Sequence, residues 1–148
     1  MDNDELLATL RDLIETCRDG DEGFRACADA SGDTRLKAFF SNRAQTCAAA
    51  AVELQDLLRS CGGDPTAPGL GGPVGRRWVD LRQQVAGRSE QEILAQCERG
   101  EDVAVQSYRQ ALEKNLPSDI RECVERQYQG ALKNHDQVKS LRDQYRSA

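Results

Sequence analysis

The chain has 148 residues, of which 30% are charged, and its formal net charge is −5. Lysine and arginine alternate with carboxylates and form no basic run, which argues against a nucleic-acid-binding surface. No apolar run approaches the roughly 20 residues of a transmembrane helix, and the first residues are acidic rather than basic. We therefore expect one cytoplasmic domain, residues 1–148, that contacts neither nucleic acid nor a membrane.

The first two predicted helices are amphipathic and are joined by a short break. Apolar residues recur at three- and four-residue spacing over about residues 3–30 and again over about 34–61. Asp2 or Asn3 can cap the first helix, and Asp33 or Thr34 can begin the second. Because the break is so short, the two helices must be antiparallel neighbours.

Residues 62–88 differ in composition and predict a long crossover. The segment begins with closely spaced glycines and prolines, which neither a helix nor a central strand tolerates. It continues through Trp78, Leu81 and Val85, whose spacing predicts a short helix lying across the bundle. A connection of this length can travel the full length of a bundle, so helix three is expected to run parallel to helix two.

The last two predicted helices form a second hairpin. Ser89 and Glu92 make a capping box at the start of helix three, predicted over about 89–115, and helix four is predicted over about 118–146. Two hairpins joined by one long crossover predict an all-α, ferritin-like four-helix bundle in the order up-down-down-up.

Five polar residues interrupt or border the apolar stripes and form a predicted buried polar layer: Asp21, Arg43, Glu101, Gln127 and His135. Counting across the first hairpin places Asp21 level with Arg43, and counting across the second places Glu98 level with His135. The five donors of Arg43 can serve two carboxylates, and buried polar groups of this kind fix helix register in some bundles.

A metal site is the alternative interpretation of the same layer. Its ligands would be Asp21, Glu98, Glu101 and His135, holding iron or manganese. A di-iron centre of the ferritin type takes Glu-x-x-His from two of its helices. Here Leu132 stands three residues before His135, the only histidine, and an inward Arg43 would repel a cation. We therefore expect no standard di-metal centre and no cofactor, with metal binding or redox chemistry as the alternative.

The six cysteines are predicted to be buried, reduced thiols. They lack C-x-x-C spacing, which gives little support for a thiolate zinc site. Cys17 and Cys47 would lie level in the first hairpin and are a candidate thiol pair, reduced or disulfide-bonded.

Several segments over nearly the whole chain resemble a known family, and two of them are fairly specific. ILAQCERGEDVAVQSYRQALEKNLP and the later pattern of Gln127, Tyr128, Asn134, His135 and Asp136 are similar to the bacterial DUF2383 family, which is grouped with the ferritin-like proteins. The resemblance implies a ferritin-like bundle, a cytoplasmic location and a role associated with stress, but no established reaction. We therefore expect a non-enzymatic bundle that acts as a homodimer or through a protein partner.

Overall fold

The computed structural model describes residues 1–66 and 87–147, and in those ranges the chain is helical without strands. It confirms the predicted all-α four-helix bundle. Four helices span the described residues: α1 (Asn3–Ala30), α2 (Thr34–Ser60), α3 (Glu90–Leu112) and α4 (Ser118–Ser147). The short crossover helix around Trp78 lies outside the described residues.

The helix starts follow the capping signals of the sequence. The Asp2 carboxylate accepts the backbone N–H of Glu5 at 2.8 Å, and Asp33 accepts the N–H groups that open α2. Ser89 and Glu92 form the predicted capping box at the start of α3. These contacts satisfy N–H groups that a helix leaves without partners in its first turn.

The end of α3 comes about one turn earlier than the apolar pattern predicts. The helix ends at Leu112, whereas the pattern extends to about residue 115. Arg121 of α4 donates to the carbonyl oxygens of Leu112 at 3.2 Å and Lys114 at 2.5 Å. These hydrogen bonds satisfy carbonyls that a longer helix would have used, and they fix the turn into α4.

The contacts between helices give the predicted up-down-down-up order. α1 packs against α2 and α3, and α3 packs against α4. Along α1 and α3, Lys114 donates to Thr9 at 2.9 Å at one end, while Cys27 contacts Cys97 at the other. α3 is therefore antiparallel to α1 and parallel to α2.

The core is divided into two apolar clusters along the bundle axis. One contains Leu10, Leu54 and Val124, and the other contains Phe40 and Ile93, all fully buried. The polar residues singled out above lie mainly between the two clusters. None of the helices in the described part of the chain is long and apolar enough to cross a membrane.

Candidate functional site

A cavity of about 470 Å³ is lined by all four helices and opens to solvent, since its lining residues Thr46, Ala49 and Gly130 are exposed. Several of its lining positions carry the smallest side chains, so the facing helices leave space between them. α2 and α4 also approach each other less closely than the three packed helix pairs do. The small lining residues are Gly20, Ala49, Ala50, Ala104, Gly130 and Ala131.

Arg43 and Glu101 face each other at one end of the cavity. The Nη2 atom of Arg43 lies 3.9 Å from Oε1 of Glu101, and the exposed side-chain fractions are 15% and 3%. The guanidinium carbon also lies 5.6 Å from the centre of the Phe24 ring, within cation–π distance. Arg43 Nε is buried and has no hydrogen-bond partner within the described ranges.

The Glu101 carboxyl titrates near neutrality. Burial raises its pKa to about 7, because removing the carboxylate from water disfavours the ionised form. Arg43 and the buried Asn134 on α4 oppose this rise only in part. At neutral pH the Arg43 charge is therefore only partly compensated by Glu101.

The other end of the cavity holds a connected hydrogen-bond network. The Tyr108 hydroxyl donates to Gln127 Oε1 at 2.8 Å and lies 3.2 Å from the Cys17 sulfur. Gln127 Nε2 donates to Glu53 at 2.8 Å, and Arg126 binds the other Glu53 oxygen at 2.5 Å. Arg126 holds the pKa of Glu53 below its usual range, whereas burial raises the pKa of Tyr108. Gln127 thus belongs to this network.

The predicted contact between Asp21 and Arg43 is replaced by a contact within α1. Asp21 lies at the edge of the buried face of α1, with 25% of its side chain exposed, and Arg25 one turn later binds it at 2.6 Å. The position facing α2 at this level is Gly20, whose backbone lies against the Cys47 side chain. The carboxylate therefore turns towards the margin of the bundle.

The pairing of α3 with α4 is offset by about one turn from simple counting. Glu98 binds Arg142 at 2.5 Å, and His135 Nε2 lies 2.5 Å from Asp102 Oδ1. The expectation that Glu98 lies level with His135 is therefore wrong.

The four candidate metal ligands do not converge. They have separate partners, and the described residues contain no group of three or more His, Cys, Asp or Glu side chains that could hold a metal ion. The donor set of a ferritin-type di-metal centre therefore does not fit these side chains. The four ligands and their partners are Asp21 with Arg25, Glu98 with Arg142, Glu101 with Arg43, and His135 with Asp102.

All six cysteines are free, as expected; four are buried, and Cys47 and Cys61 are half-buried. Cys17 and Cys47 both line the cavity. A second pair, Cys27 and Cys97, has its sulfur atoms 3.0 Å apart. Counting across hairpins could not find it, because α1 and α3 are not consecutive. Burial raises the pKa of Cys17 to about 11 and also raises the pKa values of Cys47 and Cys97.

A comparison with known families matches most of the chain. No curated protein matches the chain. A family model described as "Domain of unknown function (DUF2383)" matches residues 5–114, a range that covers nearly all of α1 and the whole of α2 and α3. The chain therefore belongs to the DUF2383 family.

Proposed function

We propose that the chain is a non-enzymatic, ferritin-like bundle in which the Arg43–Glu101 ion pair stands where related bundles hold a di-metal centre. The supporting observation is the 3.9 Å approach of these two side chains inside the bundle. In di-metal proteins of this architecture, carboxylates and histidines project inward to bind cations. A guanidinium group beside Glu101 supplies the positive charge and would repel a metal ion.

The state of the nucleophilic side chains supports a non-catalytic role. A cysteine nucleophile must be a thiolate, yet burial raises the pKa values of the cavity thiols Cys17 and Cys47. His135 is bound to Asp102 and is not among the residues that line the cavity. A Cys–His pair in the cavity therefore has no support from these side chains.

The alternative is a metal-binding or redox protein that uses iron or manganese. It would require Asp21, Glu98, Glu101 and His135 to leave their present partners and converge on one point. Three of these partners are arginines, so each exchange would also leave a guanidinium group without its carboxylate. The ion-pair proposal needs no such rearrangement.

Metal analysis of protein purified without chelator tests this proposal. We expect iron and manganese far below one atom per chain. The same low content is expected in Glu101→Ala, His135→Ala and, as a matched control at an exposed position, Glu122→Ala. Stoichiometric metal that disappears in the first two variants but not in Glu122→Ala would show that the polar layer is a metal site.

We further propose that the protein acts in the cytoplasm as a homodimer or through a protein partner, in a role associated with stress and without binding nucleic acid or membranes. The net charge of −5 supports this choice against nucleic acid. Light scattering across a dilution series checks for self-association. Gel-shift and vesicle co-sedimentation assays should show no binding to duplex DNA, RNA or vesicles of anionic lipid.

A further inference from the structure

The cavity contains one cation that is only partly satisfied. Its other polar groups are largely bound to one another: Tyr108 to Gln127, Gln127 to Glu53, and Glu53 to Arg126. Arg43 instead lines the cavity with 15% of its side chain exposed, and its carboxylate partner is 3.9 Å away, beyond hydrogen-bond distance. The Arg43 guanidinium group can therefore still donate hydrogen bonds to a ligand at this end of the cavity.

The rest of the cavity lining suits a narrow, apolar ligand. The lining runs along α2 from Arg43 to Glu53, which at the helical rise corresponds to about 15 Å. Between these ends lie Ala49 and Ala50, with Ala104 and Ala131 on the other helices. A volume of about 470 Å³ is in the range of small-molecule sites, and such sites combine apolar walls with a few placed polar groups.

We propose that this cavity binds a straight-chain monocarboxylate, with the carboxylate on Arg43 and the hydrocarbon chain along the alanine-lined wall. A carboxylate accepts hydrogen bonds from a guanidinium group and compensates its charge. A cationic ligand would instead be repelled by Arg43, and a neutral one would not compensate its charge. The elongated lining favours a chain over a compact ring.

Arg43 is a better anchor than Arg126, the other arginine that lines the cavity. Arg126 already binds Glu53 at 2.5 Å, and 63% of its side chain is exposed. The Arg43 side chain is only 15% exposed and has a longer contact with its carboxylate. Hydrogen bonds to charged groups are stronger where water is excluded. These two arginines therefore provide a matched pair for testing the position of the head group.

The first experiment measures decanoate binding to the full chain by calorimetry near neutral pH, below the micelle concentration. We expect wild-type protein to bind decanoate and to bind decanol much more weakly. Arg43→Gln should weaken decanoate binding by about tenfold or more, the factor expected from a charged hydrogen bond. Arg126→Gln, at the other end of the cavity, should weaken binding much less than Arg43→Gln does. Absence of binding, equal binding of decanol, or equal losses in both variants would overturn the proposal.

A second set of variants separates ligand binding from folding. Glu101→Gln removes the carboxylate that competes for Arg43, so it should tighten decanoate binding, the opposite of Arg43→Gln. Gly130 lines the cavity, and a Cβ atom there would meet no other atom within 4 Å. Because Gly130 is also exposed, Gly130→Phe should fold and block binding, while the matched Gly130→Ala should retain it. Decanoate binding that is unchanged in folded Gly130→Phe, or weaker in Glu101→Gln, would place the ligand elsewhere.

Discussion

The sulfur atoms of Cys27 and Cys97 lie 3.0 Å apart in the fully buried interface between α1 and α3. α1 belongs to the first hairpin and α3 to the second, so this contact lies in the interface where the two hairpins pack against each other. Burial raises the pKa of Cys97 well above that of an ordinary thiol. The Cys97 thiol is therefore held protonated in the folded protein.

The first prediction concerns the order in which the cysteines react with iodoacetamide. Cys61, half-buried at the end of α2, should be alkylated first. Cys27 and Cys97 should react only when the whole protein unfolds, because both thiols are inaccessible and the Cys97 thiol resists deprotonation. Pulsed alkylation with peptide mass spectrometry measures the order. Labelling of Cys97 at the rate of Cys61 in native conditions would show that the interface between the hairpins opens locally.

The second prediction concerns the ion pair in the cavity. Arg43→Met should destabilise the protein by about 2 kcal/mol at about pH 8, because it leaves a buried carboxylate without its cation. The loss should be smaller at about pH 5.5, where Glu101, with its pKa of about 7, is already protonated. Urea unfolding at both pH values measures this difference.

Arg25→Met provides the matched control for the ion-pair prediction. Arg25 also pairs with a carboxylate, but 55% of its side chain is exposed, so its removal should cost less than about 1 kcal/mol. An equal loss in both variants, or a loss for Arg43→Met that does not depend on pH, would contradict the assigned charge compensation.

The third prediction concerns the pH dependence that Glu101 contributes. Its folded pKa lies above the ordinary value of 4.5, so ionisation opposes folding above about pH 7, and this penalty disappears as the pH falls through 7 towards 4.5. Glu101→Gln mimics the protonated form. It should therefore be more stable than wild type by about 2–3 kcal/mol at about pH 8 and equal to it at about pH 4.5. A destabilised Glu101→Gln at high pH would mean that the ion pair outweighs the desolvation penalty.

Much of the fold could be predicted from the sequence because its signals are local. The three-four spacing of apolar residues, the caps at Asp2, Asp33 and Ser89, and the short break before α2 each depend on neighbouring residues. The parallel course of α2 and α3 follows from the length of the segment between them. These features locate the helices and their directions.

The candidate site could be predicted only in part because it depends on the relative heights and rotations of helices. A difference of about one turn in the α3–α4 pairing places His135 beside Asp102 rather than beside Glu98. A small rotation places Asp21 beside Arg25 at the bundle margin. Such differences in height and rotation depend on side-chain packing across the whole interface between helices, and they cannot be worked out from one hairpin alone. Arg43 and Glu101 still face inward despite these differences, because both lie close to the centres of the apolar stripes of their helices.

The last prediction uses two glycines in the middle of helices. A Cβ atom at Gly130 meets no atom within 4 Å, whereas one at Gly20 would lie 2.9 Å from the Cys47 sulfur. Gly130→Ala should stabilise the protein by about 1 kcal/mol through helix propensity. Gly20→Ala gains the same propensity but forces Cys47 aside, so it should be less stable than Gly130→Ala by about 2 kcal/mol.

A double-mutant cycle tests whether Cys47 is the cause of this difference. In a Cys47→Ala background the sulfur is absent, and Gly20→Ala should then be as favourable as Gly130→Ala. Thermal and urea unfolding of the four combinations measure the coupling between positions 20 and 47. If Gly20→Ala remains unfavourable without the sulfur, the close approach of α1 and α2 at this level must depend on their backbones. The two helices could then not move apart to make room for a larger side chain beside the cavity.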